Sequence, residues 1–295
     1  MSEKFIIGCG YVGERLARQY LEAGEAVTGL VRTEASVTRL TDQGIRARAV
    51  DLSRETPSTL SFQDALVFHL APPPGGGVRD PLTRHLIALF ETLGSPKRVL
   101  YLSTTGVYGD CGGRWIDEHE PVKPVAERSQ RRWDAEERLR DWSRASGGEL
   151  VILRVAGIYG PERLPLARLR SGAPMVRPEQ APYTNRIHVE DLVTVCMAAM
   201  ARAEPGAVYN VSDGHPSTMT EYFQAVAAAV GLPAPPLIPL EEAAGQVSEG
   251  MLSYLRESRR LRNDRLRTEL GVVPRYPDLA AGLAALSTAP PAAAS

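Results

Sequence analysis

The chain has 295 residues, 43% of them hydrophobic and 23% charged, and its formal net charge is -1. This balance is typical of a globular protein with a substantial core, and it argues against nucleic acid or a membrane surface as the main partner. The three scattered cysteines do not have the spacing of a disulfide framework or a zinc site. With no long apolar span and no signal-peptide pattern, the sequence predicts a cytoplasmic protein.

Segments rich in Val, Ile and Leu alternate with amphipathic segments in the first half of the chain. We predict strands at Lys4–Gly8, Ala26–Val31, Arg46–Val50, Ala65–Leu70, Arg98–Ser103 and Leu150–Arg154, and helices at Val12–Ala23, Ala35–Asp42, Asp80–Leu93 and Val125–Arg144. This alternation predicts an α/β fold, with a doubly wound parallel sheet of the Rossmann type and helices on both faces.

The rhythm changes after Arg154, where Pro and Gly crowd residues 157–182. The later elements are predicted to be helices at Val189–Ala203, Met219–Val230 and Ser258–Leu270, a strand at Ala207–Val211, and a Pro-rich connector, LPAPPLIPL. We therefore expect a Rossmann domain in residues 1–160 plus about 184–212. A smaller, interleaved C-terminal α/β substrate domain would comprise residues 161–183 and 213–285, followed by a disordered tail at 286–295.

The hexapeptide GCGYVG has the spacing G-x-G-x-x-G and lies between the first strand and the first helix. Gly8 allows a tight turn, Gly10 lets the backbone approach a pyrophosphate, and Gly13 lets the helix pack closely on the strand. The phosphates would meet free N–H groups at the start of the helix, beside Tyr11 and Val12. The motif predicts a dinucleotide site; the alternative is a glycine turn without a ligand.

The second strand ends in Arg32, where an acidic residue would bind the adenosine ribose of NAD. A guanidinium can pair with the 2′-phosphate of NADP and stack on adenine, so we expect NADP to be preferred over NAD. Two alternatives stay open: Glu34 could turn inward and reverse the preference, or Arg32 could be a solvated surface charge. The other residues expected near the cofactor follow the third and fourth strands and are Asp51, Leu52, Leu70, Ala71 and Pro72.

The fifth predicted strand ends in three hydroxyl side chains, Ser103, Thr104 and Thr105. Such a cluster can simply cap the local backbone. It also lies where open α/β sheets bind their ligands, at the carboxyl ends of the strands. The cluster is therefore a candidate reaction site.

Eight motifs occur in the order typical of one family: GCGYVG, FHLAPPP, YLSTTGVYGD, WIDEHEPVKP, LRVAGIYGP, NRIHVEDL, YNVSDG and NDRLRTELG. Over nearly its whole length the chain thereby resembles an extended short-chain dehydrogenase/reductase of the NAD-dependent epimerase/dehydratase family. Its glycine spacing and the APPPGGG run are similar to those of an atypical subgroup described as nucleoside-diphosphate-sugar epimerases. The resemblance implies a seven-stranded Rossmann sheet, bound NAD(P), and a sugar nucleotide or similar polar substrate.

The resemblance also implies a role for the hydroxyl cluster. In the family, the hydroxyl five residues before the glycine of V-Y-G bonds the reacting oxygen of the substrate, and here that hydroxyl belongs to Thr104. The family then uses Tyr-x-x-x-Lys on the next helix, where the Lys holds the nicotinamide ribose and lowers the pKa of the Tyr that transfers the proton. Aligned on Asp134, that helix has Arg128 at the Tyr position and Arg132 at the Lys position.

The usual proton relay is therefore absent or supplied elsewhere. Arg128 cannot act as an acid or base, because a guanidinium stays protonated below about pH 12. Arg132 could still hold ribose hydroxyls and supply positive charge. A shift of one residue would instead place Ser129 and Trp133 at the two positions. Candidate substitutes for the missing tyrosine, each of which could equally be a packing residue, are Tyr108, Tyr159 and Tyr183.

The same resemblance places Arg154 beside the nicotinamide and implies a substrate pocket. The residues expected to contact substrate are Thr105, Tyr108, Tyr159, Arg186 and His188, with Asn185 at its border. His188 could equally be a buried structural histidine. The arginines of SRRLRNDRLR could bind a substrate phosphate or form a solvated helix face. Asp117 and Glu118 are expected to organise a loop, and no metal site is predicted.

Three functions follow from these residues. The first is an NAD(P)-dependent oxidoreductase, epimerase or dehydratase whose small-molecule substrate is held by Thr104. The second is a protein without turnover that senses NADP and regulates a partner, which the missing Tyr and Lys favour. The third is an enzyme similar to β-hydroxyacid dehydrogenases, for which the carboxyl half lacks the required long all-helical domain. Family members commonly pair through two helices, so a homodimer is also expected.

Overall fold

A computed structural model describes residues 2–55, 57 and 59–288 of the protein. Its strands are β1 (Lys4–Ile7), β2 (Thr28–Val31), β3 (Arg46–Ala49), β4 (Leu66–His69), β5 (Arg98–Thr104), β6 (Trp115–Ile116), β7 (Glu149–Val155), β8 (Gly157–Tyr159), β9 (Met175–Val176), β10 (Tyr183–Thr184), β11 (Arg186–His188), β12 (Val208–Val211), β13 (Ser217–Thr218), β14 (Leu237–Ile238) and β15 (Arg260–Leu261). Its helices are α1 (Tyr11–Glu22), α2 (Glu34–Thr41), α3 (Pro81–Leu93), α4 (Glu127–Ser146), α5 (Leu166–Arg170), α6 (Val189–Arg202), α7 (Met219–Ala229), α8 (Ala243–Gln246), α9 (Glu249–Leu255), α10 (Asp264–Thr268) and α11 (Leu279–Thr288). Short 3-10 turns lie at Thr105–Tyr108, Pro178–Gln180 and Leu240–Glu242.

The central sheet has seven strands in the order β12-β7-β5-β4-β1-β2-β3, and every neighbouring pair is parallel. Except for the edge strand β3, whose residues are exposed or half-buried, its strands are largely buried on both faces, with successive apolar side chains pointing to opposite sides. Ile6 packs into a core shared with α1 and α6, whereas Phe5 and Ile7 pack into a core shared with α3 and α4. The predicted Rossmann sheet and its strands are confirmed, with ends displaced by one or two residues.

The later part of the chain builds a second, smaller core. Tyr159, Leu169, Phe223 and Leu283 pack together there and join β8 to α5, α7 and α11. Two-stranded pairings connect this region internally, namely β9 with β14, β10 with β13, and β8 with β11. Throughout the described ranges, every helix is too short or too polar to span a bilayer.

The predicted charged helix at Ser258–Leu270 is wrong. Its first part is strand β15, whose residues Arg260 and Leu261 lie parallel to Trp115 and Ile116 of β6. The backbone must be extended here, because the amide of Arg260 donates to the carbonyl of Arg114 at 2.9 Å. Only the second part, α10, is helical.

The sequence did not predict several short elements, most of them in the second half of the chain, which also include β6, β8 to β11, β13, α5 and α8. The two longest missed helices and one strand illustrate this. They are α9, α11 and β14, the last of which lies inside the predicted Pro-rich connector. The tail expected to be disordered, residues 286–295, overlaps the end of α11, so residues 286–288 are helical instead. Its residues 289–295 lie outside the described part of the chain.

Candidate active site and cofactor groove

Two cavities lie side by side at the carboxyl ends of the central strands. The glycine cavity, of about 560 Å³, is bordered by Gly8, Gly10 and Arg32. The arginine cavity, of about 680 Å³, is bordered by the hydroxyl cluster and by α4. Pro72 and Pro73 line both, so the two cavities meet. Their position is the one at which open α/β sheets bind ligands.

The glycine turn has the geometry needed to hold a diphosphate. Gly8 has φ +80°, and a Cβ there would lie 2.6 Å from the backbone of Ala71. Gly13 packs against β1 so closely that a Cβ would lie 2.8 Å from Cγ2 of Ile6, whereas a Cβ on Gly10 would have no atom within 4 Å. Within the described ranges no side chain caps α1, so the amides of its first turn are left available to a ligand beside Gly10. These residues fit a dinucleotide.

The rim of the glycine cavity beyond β2 is positively charged. Arg32 and Arg39 line it together with Thr33 and Ser36. The Thr33 hydroxyl accepts the Ser36 amide at 3.2 Å and caps α2. Glu34 lies in the described range 2–55 but is not among the residues that line this cavity.

Other predicted cofactor residues divide between the cavity and the core. Asp51 and Leu52 line the glycine cavity with Ala71 and Pro72. Two hydrogen bonds from Ser53 lower the pKa of Asp51. Val12, Gly13 and Leu70 are buried outside the lining, and the Tyr11 hydroxyl donates to the carbonyl of Pro161 at 2.7 Å.

The three hydroxyls at the end of β5 have different partners. Ser103 is buried and donates to the carboxylate of Glu136 at 2.6 Å. Thr104 is half-buried, and its Oγ1 accepts the Gly106 amide at 3.2 Å. In the described ranges, no group accepts a hydrogen bond from the Thr104 hydroxyl. The hydroxyl proton of Thr104 is therefore free to be donated to a ligand in the cavity. Thr105 is buried and also lines the arginine cavity.

Helix α4 presents three arginines to the arginine cavity, and the four-residue spacing of Arg128 and Arg132 places these two on one face, as predicted. Arg132 donates to the carbonyl of Leu102 at 2.7 Å, next to the hydroxyl cluster. Arg128 donates to the hydroxyl of Ser253 at 2.6 Å, and its guanidinium lies 4.1 Å from the centre of the Tyr254 ring. Arg128 is thus tied to α9, on the opposite wall.

The arginine cavity carries a large excess of positive charge. Its lining contains six arginines, which are Arg128, Arg131, Arg132, Arg163, Arg186 and Arg259. Within the described lining the only carboxylate is that of Glu257, which pairs with Arg259 at 2.9 Å. A low-dielectric cleft of one sign concentrates ligands of the opposite sign, so this cavity favours an anion.

The chain is similar to proteins that share its full length. It is 29% identical over 292 residues to Protein YeeZ of Escherichia coli, which covers 94% of this chain and 97% of that protein. It is 26% identical over 303 residues to a Streptomyces 3-diazoavenalumate denitrifying reductase, which covers 93% of this chain and 96% of that protein.

Solved structures are similar over the same length. A functionally unknown conserved protein from Silicibacter pomeroyi is 32% identical, with a TM-score of 0.83 and coverage of 97% of this chain and 98% of that one. A Thermotoga maritima UDP-glucose 4-epimerase with UDP-glucose has a TM-score of 0.76 at 19% identity, with coverage of 97% of each chain. At that identity the likeness shows the fold alone.

A model of the NAD dependent epimerase/dehydratase family matches residues 5–212. The chain belongs to this family. The resemblance carried by the eight sequence motifs is thereby confirmed, as is the Rossmann fold that it implied.

Several residues of the site were missed in the sequence, among them Arg131, Arg163, Tyr222 and the buried Glu136. Glu136 lies one turn beyond Arg132, on the face of α4 that carries Arg128 and Arg132, and its side chain is fully buried. It accepts hydrogen bonds from Ser103, from Arg154 at 2.9 Å and from Arg140 at 3.0 Å. Its spacing of four residues from Arg132 is the signal that would have found it. Arg154, expected beside the nicotinamide, is held in this buried ion pair.

Three residues expected at the substrate pocket lie in the core instead of the described cavity lining. Tyr108 donates to Asn210 at 2.7 Å, and burial raises its pKa to about 12. Tyr159 is buried in the second core. His188 caps α6 by accepting the Glu190 amide at 3.3 Å, and burial lowers its pKa to about 4. All three have the surroundings of structural residues.

The remaining candidates are placed as follows. Tyr183, Asn185 and Arg186 line the arginine cavity. Glu118 holds a loop by accepting the amide of Asn210 at 2.8 Å, and Asp117 accepts the amide of His119. Across the ranges that the structure describes, no three His, Cys, Asp or Glu side chains are grouped as metal ligands.

Proposed function

We propose that the protein is an NADP-dependent oxidoreductase of the epimerase/dehydratase family whose substrate is held by Thr104. One observation carries this proposal: the glycine cavity, with its diphosphate geometry, shares Pro72 and Pro73 with the cavity that Thr104 lines. A dinucleotide lying along this groove would have its adenosine end near Arg32 and its other end near the hydroxyl cluster. When bound, the cofactor would supply or accept a hydride.

The rim of the glycine cavity supports NADP rather than NAD. Arg32, Thr33 and Ser36 offer a guanidinium and two hydroxyls at the end of β2, where the 2′-phosphate of NADP would lie. Glu34 lies outside the described lining, in which Asp51 is the single carboxylate beside Arg32 and Arg39.

On the substrate side, Thr104 would donate a hydrogen bond to the reacting oxygen. Arg132, at the position of the family's lysine, would hold the nicotinamide ribose and stabilise negative charge on that oxygen. Arg128 does not release a proton near neutral pH, so the proton would come from a water held by Thr104. Ser103 would support this arrangement from below through its bond to Glu136.

The arginine cavity supports a polar, anionic carbonyl or alcohol substrate, such as a sugar nucleotide. The epimerase from Thermotoga maritima with UDP-glucose has the same fold, and the full-length relative from Streptomyces is named a reductase. Residues 161–183 and 213–285 would form the substrate domain, with Thr105, Tyr183 and Arg186 as contacts.

Three free, buried cysteines fit a reducing compartment such as the cytoplasm.

Calorimetric titration with both dinucleotides tests the cofactor assignment. We expect NADP to bind more tightly than NAD, and Arg32→Ala to weaken NADP binding about 10-fold while leaving NAD binding unchanged. Arg18→Ala, which removes an arginine of α1 outside the cavity lining, is the matched control. Equal affinities in the unmutated protein would reject the role of Arg32.

A second function is favoured by the contact of Arg128 with α9. A protein whose acid–base position is an arginine fixed to Ser253 and Tyr254 could bind NADP without turnover and regulate a partner. A panel of sugar nucleotides, assayed for nicotinamide absorbance change and for substrate-dependent isotope exchange, distinguishes the two. Exchange with any substrate supports the enzyme, whereas silence with intact NADP binding supports the sensor.

A homodimer completes the proposal. Helices α3 and α4 pack side by side on one face of the sheet, and the surface groove between them is bordered by the two cations Arg84 and Arg138 and the two carboxylates Glu91 and Asp141, a balance that a second copy could complement. Sedimentation equilibrium tests this, with a monomer mass at micromolar concentration as the contrary result.

A further inference from the structure

Arg186 is a buried cation that faces the arginine cavity. It lies on β11, is 7% exposed, and its guanidinium lies 4.3 Å from the centre of the Tyr222 ring. It donates to the carbonyl of Asn185 at 2.9 Å and contacts the sulfur of Met219 at 3.7 Å. Five N–H donors are available on a guanidinium, so most of its hydrogen-bonding capacity is unused by the protein.

No carboxylate in the described part of the chain forms an ion pair with Arg186, unlike the equally buried Arg154. Asp213 attracts it at a distance, but one carboxylate oxygen of Asp213 accepts the amide of His215, and the other has no described partner. Burial alone lowers the pKa of Arg186, because the charged form loses its hydration. A buried charge without a counter-ion is unfavourable, and an arriving anion would offset that cost.

The strand pairings place Arg186 near Thr104. Thr104 is paired with Val155 across β5 and β7, and Arg186 is paired with Gly157 across β8 and β11. Because neighbouring strands are about 4.8 Å apart and each residue advances about 3.3 Å, the two Cα atoms are at most about 16 Å apart. Both side chains line the same cavity, so one small molecule can reach both.

We propose that Arg186 is the anchor for a carboxylate on the substrate, and that Thr104 receives the reacting oxygen of the same molecule. This inference rests on the proposed function and narrows its substrate class to carboxylic acids, including sugar acids. Tyr222, which also lines the cavity, keeps its hydroxyl proton because burial raises its pKa, and it can donate a second hydrogen bond to the carboxylate.

A carboxylate suits this position better than a phosphate. The planar fork of arginine pairs with the two oxygens of a carboxylate in one plane, and Tyr222 stacks on that fork. A phosphate carries more charge to desolvate, and the exposed Arg163 and half-buried Arg131 would receive it with less loss of hydration.

Binding of two isosteric probes tests the anchor. Calorimetry with benzoate and its neutral counterpart benzamide, with and without NADP, should show benzoate binding about 10- to 100-fold more tightly, as a charge-assisted bidentate pair does. Arg186→Met should remove this difference, and Arg186→Lys should restore only part of it. Arg163→Met, which removes another arginine of the same lining, should keep it. NADP affinity reports whether each variant is folded.

Three results would overturn the anchor. They are equal or undetectable binding of benzoate and benzamide to the unmutated protein, a benzoate preference that survives in Arg186→Met, and tighter Arg186-dependent binding of phenyl phosphate than of benzoate. Failure of the proposed function is a separate result, because it would appear as an absence of dinucleotide binding. The binding of benzoate and benzamide is also measured without cofactor, so it reports on the anchor independently.

Discussion

At the scale of single residues, Thr104 differs from its two hydroxyl neighbours in the freedom of its proton. Ser103 is committed to Glu136, and Thr105 is buried beneath the turn. Thr104 instead accepts one amide hydrogen and keeps its own hydrogen for a ligand. That division of roles supports the proposed contact of Thr104 with the reacting oxygen.

Removal of the Thr104 hydroxyl should therefore impair turnover more than folding. We expect Thr104→Ala to lower kcat on the order of 10²-fold, because a positioning and proton-transfer contact is lost, whereas Thr104→Ser should retain most activity. Isotope exchange with an active sugar nucleotide or sugar acid measures this. An Ala variant as active as the Ser variant would exclude Thr104 from the reaction.

The candidate site was predictable where local spacing decides the geometry. The glycine turn, Arg32, the hydroxyl cluster and the pair Arg128 and Arg132 were all found from the sequence, and the structure places them along one groove. Tyr108 and His188 were not separable from core residues in the sequence, because Tyr108 bonds to Asn210 and the ring of His188 packs on those of Tyr159 and Tyr276, which are distant along the chain.

At the scale of elements, one face of α4 both lines the arginine cavity and joins the core. Arg128 and Arg132 face the cavity, and Glu136 and Arg140 continue that row into the core. The buried carboxylate of Glu136 joins the end of β5 to Arg154 at the end of β7. The helix is thereby fixed against the two strands that carry the hydroxyl cluster and its neighbour.

Substitution of that carboxylate should destabilise the whole protein. Glu136→Gln would leave Arg154 buried without its counter-ion, so we expect the free energy of unfolding to fall by about 3 kcal/mol. Urea denaturation measures this, with Glu137→Gln, an exposed neighbour on the same helix, expected to change little. Equal stabilities of the two variants would show that the buried ion pair does not hold α4 in place.

The elements that sequence analysis missed share one physical cause. Strands β1, β2, β4 and β5 are apolar and helices α1 to α3 are amphipathic, and their predicted bounds were close. By contrast, β15 follows a charged, helix-like pattern, and its extended conformation is imposed by pairing with β6, more than 140 residues earlier. Local patterns cannot report a partner so far along the chain.

At the scale of the whole molecule, burial of one carboxyl group makes stability depend on pH. Asp213 is 5% exposed, and burial raises its pKa from 3.8 to about 7. Between those two values the folded protein holds a proton that the unfolded chain has released. The contribution of Asp213 to stability is therefore full below pH 3.8 and is lost as the pH rises through about 7.

Asp213→Asn should remove this dependence. We expect the unmutated protein to lose up to about 1.4 kcal/mol per pH unit relative to the variant across that interval, as one linked proton requires. Denaturant unfolding at a series of pH values measures the difference. Asp117→Asn is a matched control, because Asp117 accepts an amide two residues later in the same way but is exposed. Parallel stability curves for the Asp213 variant and the unmutated protein would contradict the expectation.

The pairing of β15 with β6 has a consequence for how ligands bind in the groove. This pairing joins the carboxyl-terminal region to the loop that follows the hydroxyl cluster, and the amide of Cys111 donates a further hydrogen bond to the carbonyl of Ser258 at 3.0 Å. Because these bonds join the two walls of the groove, they resist a hinge motion that would separate the walls. Discrimination between similar small molecules must then come from fixed side chains already facing the cleft, rather than from closure around whichever molecule arrives.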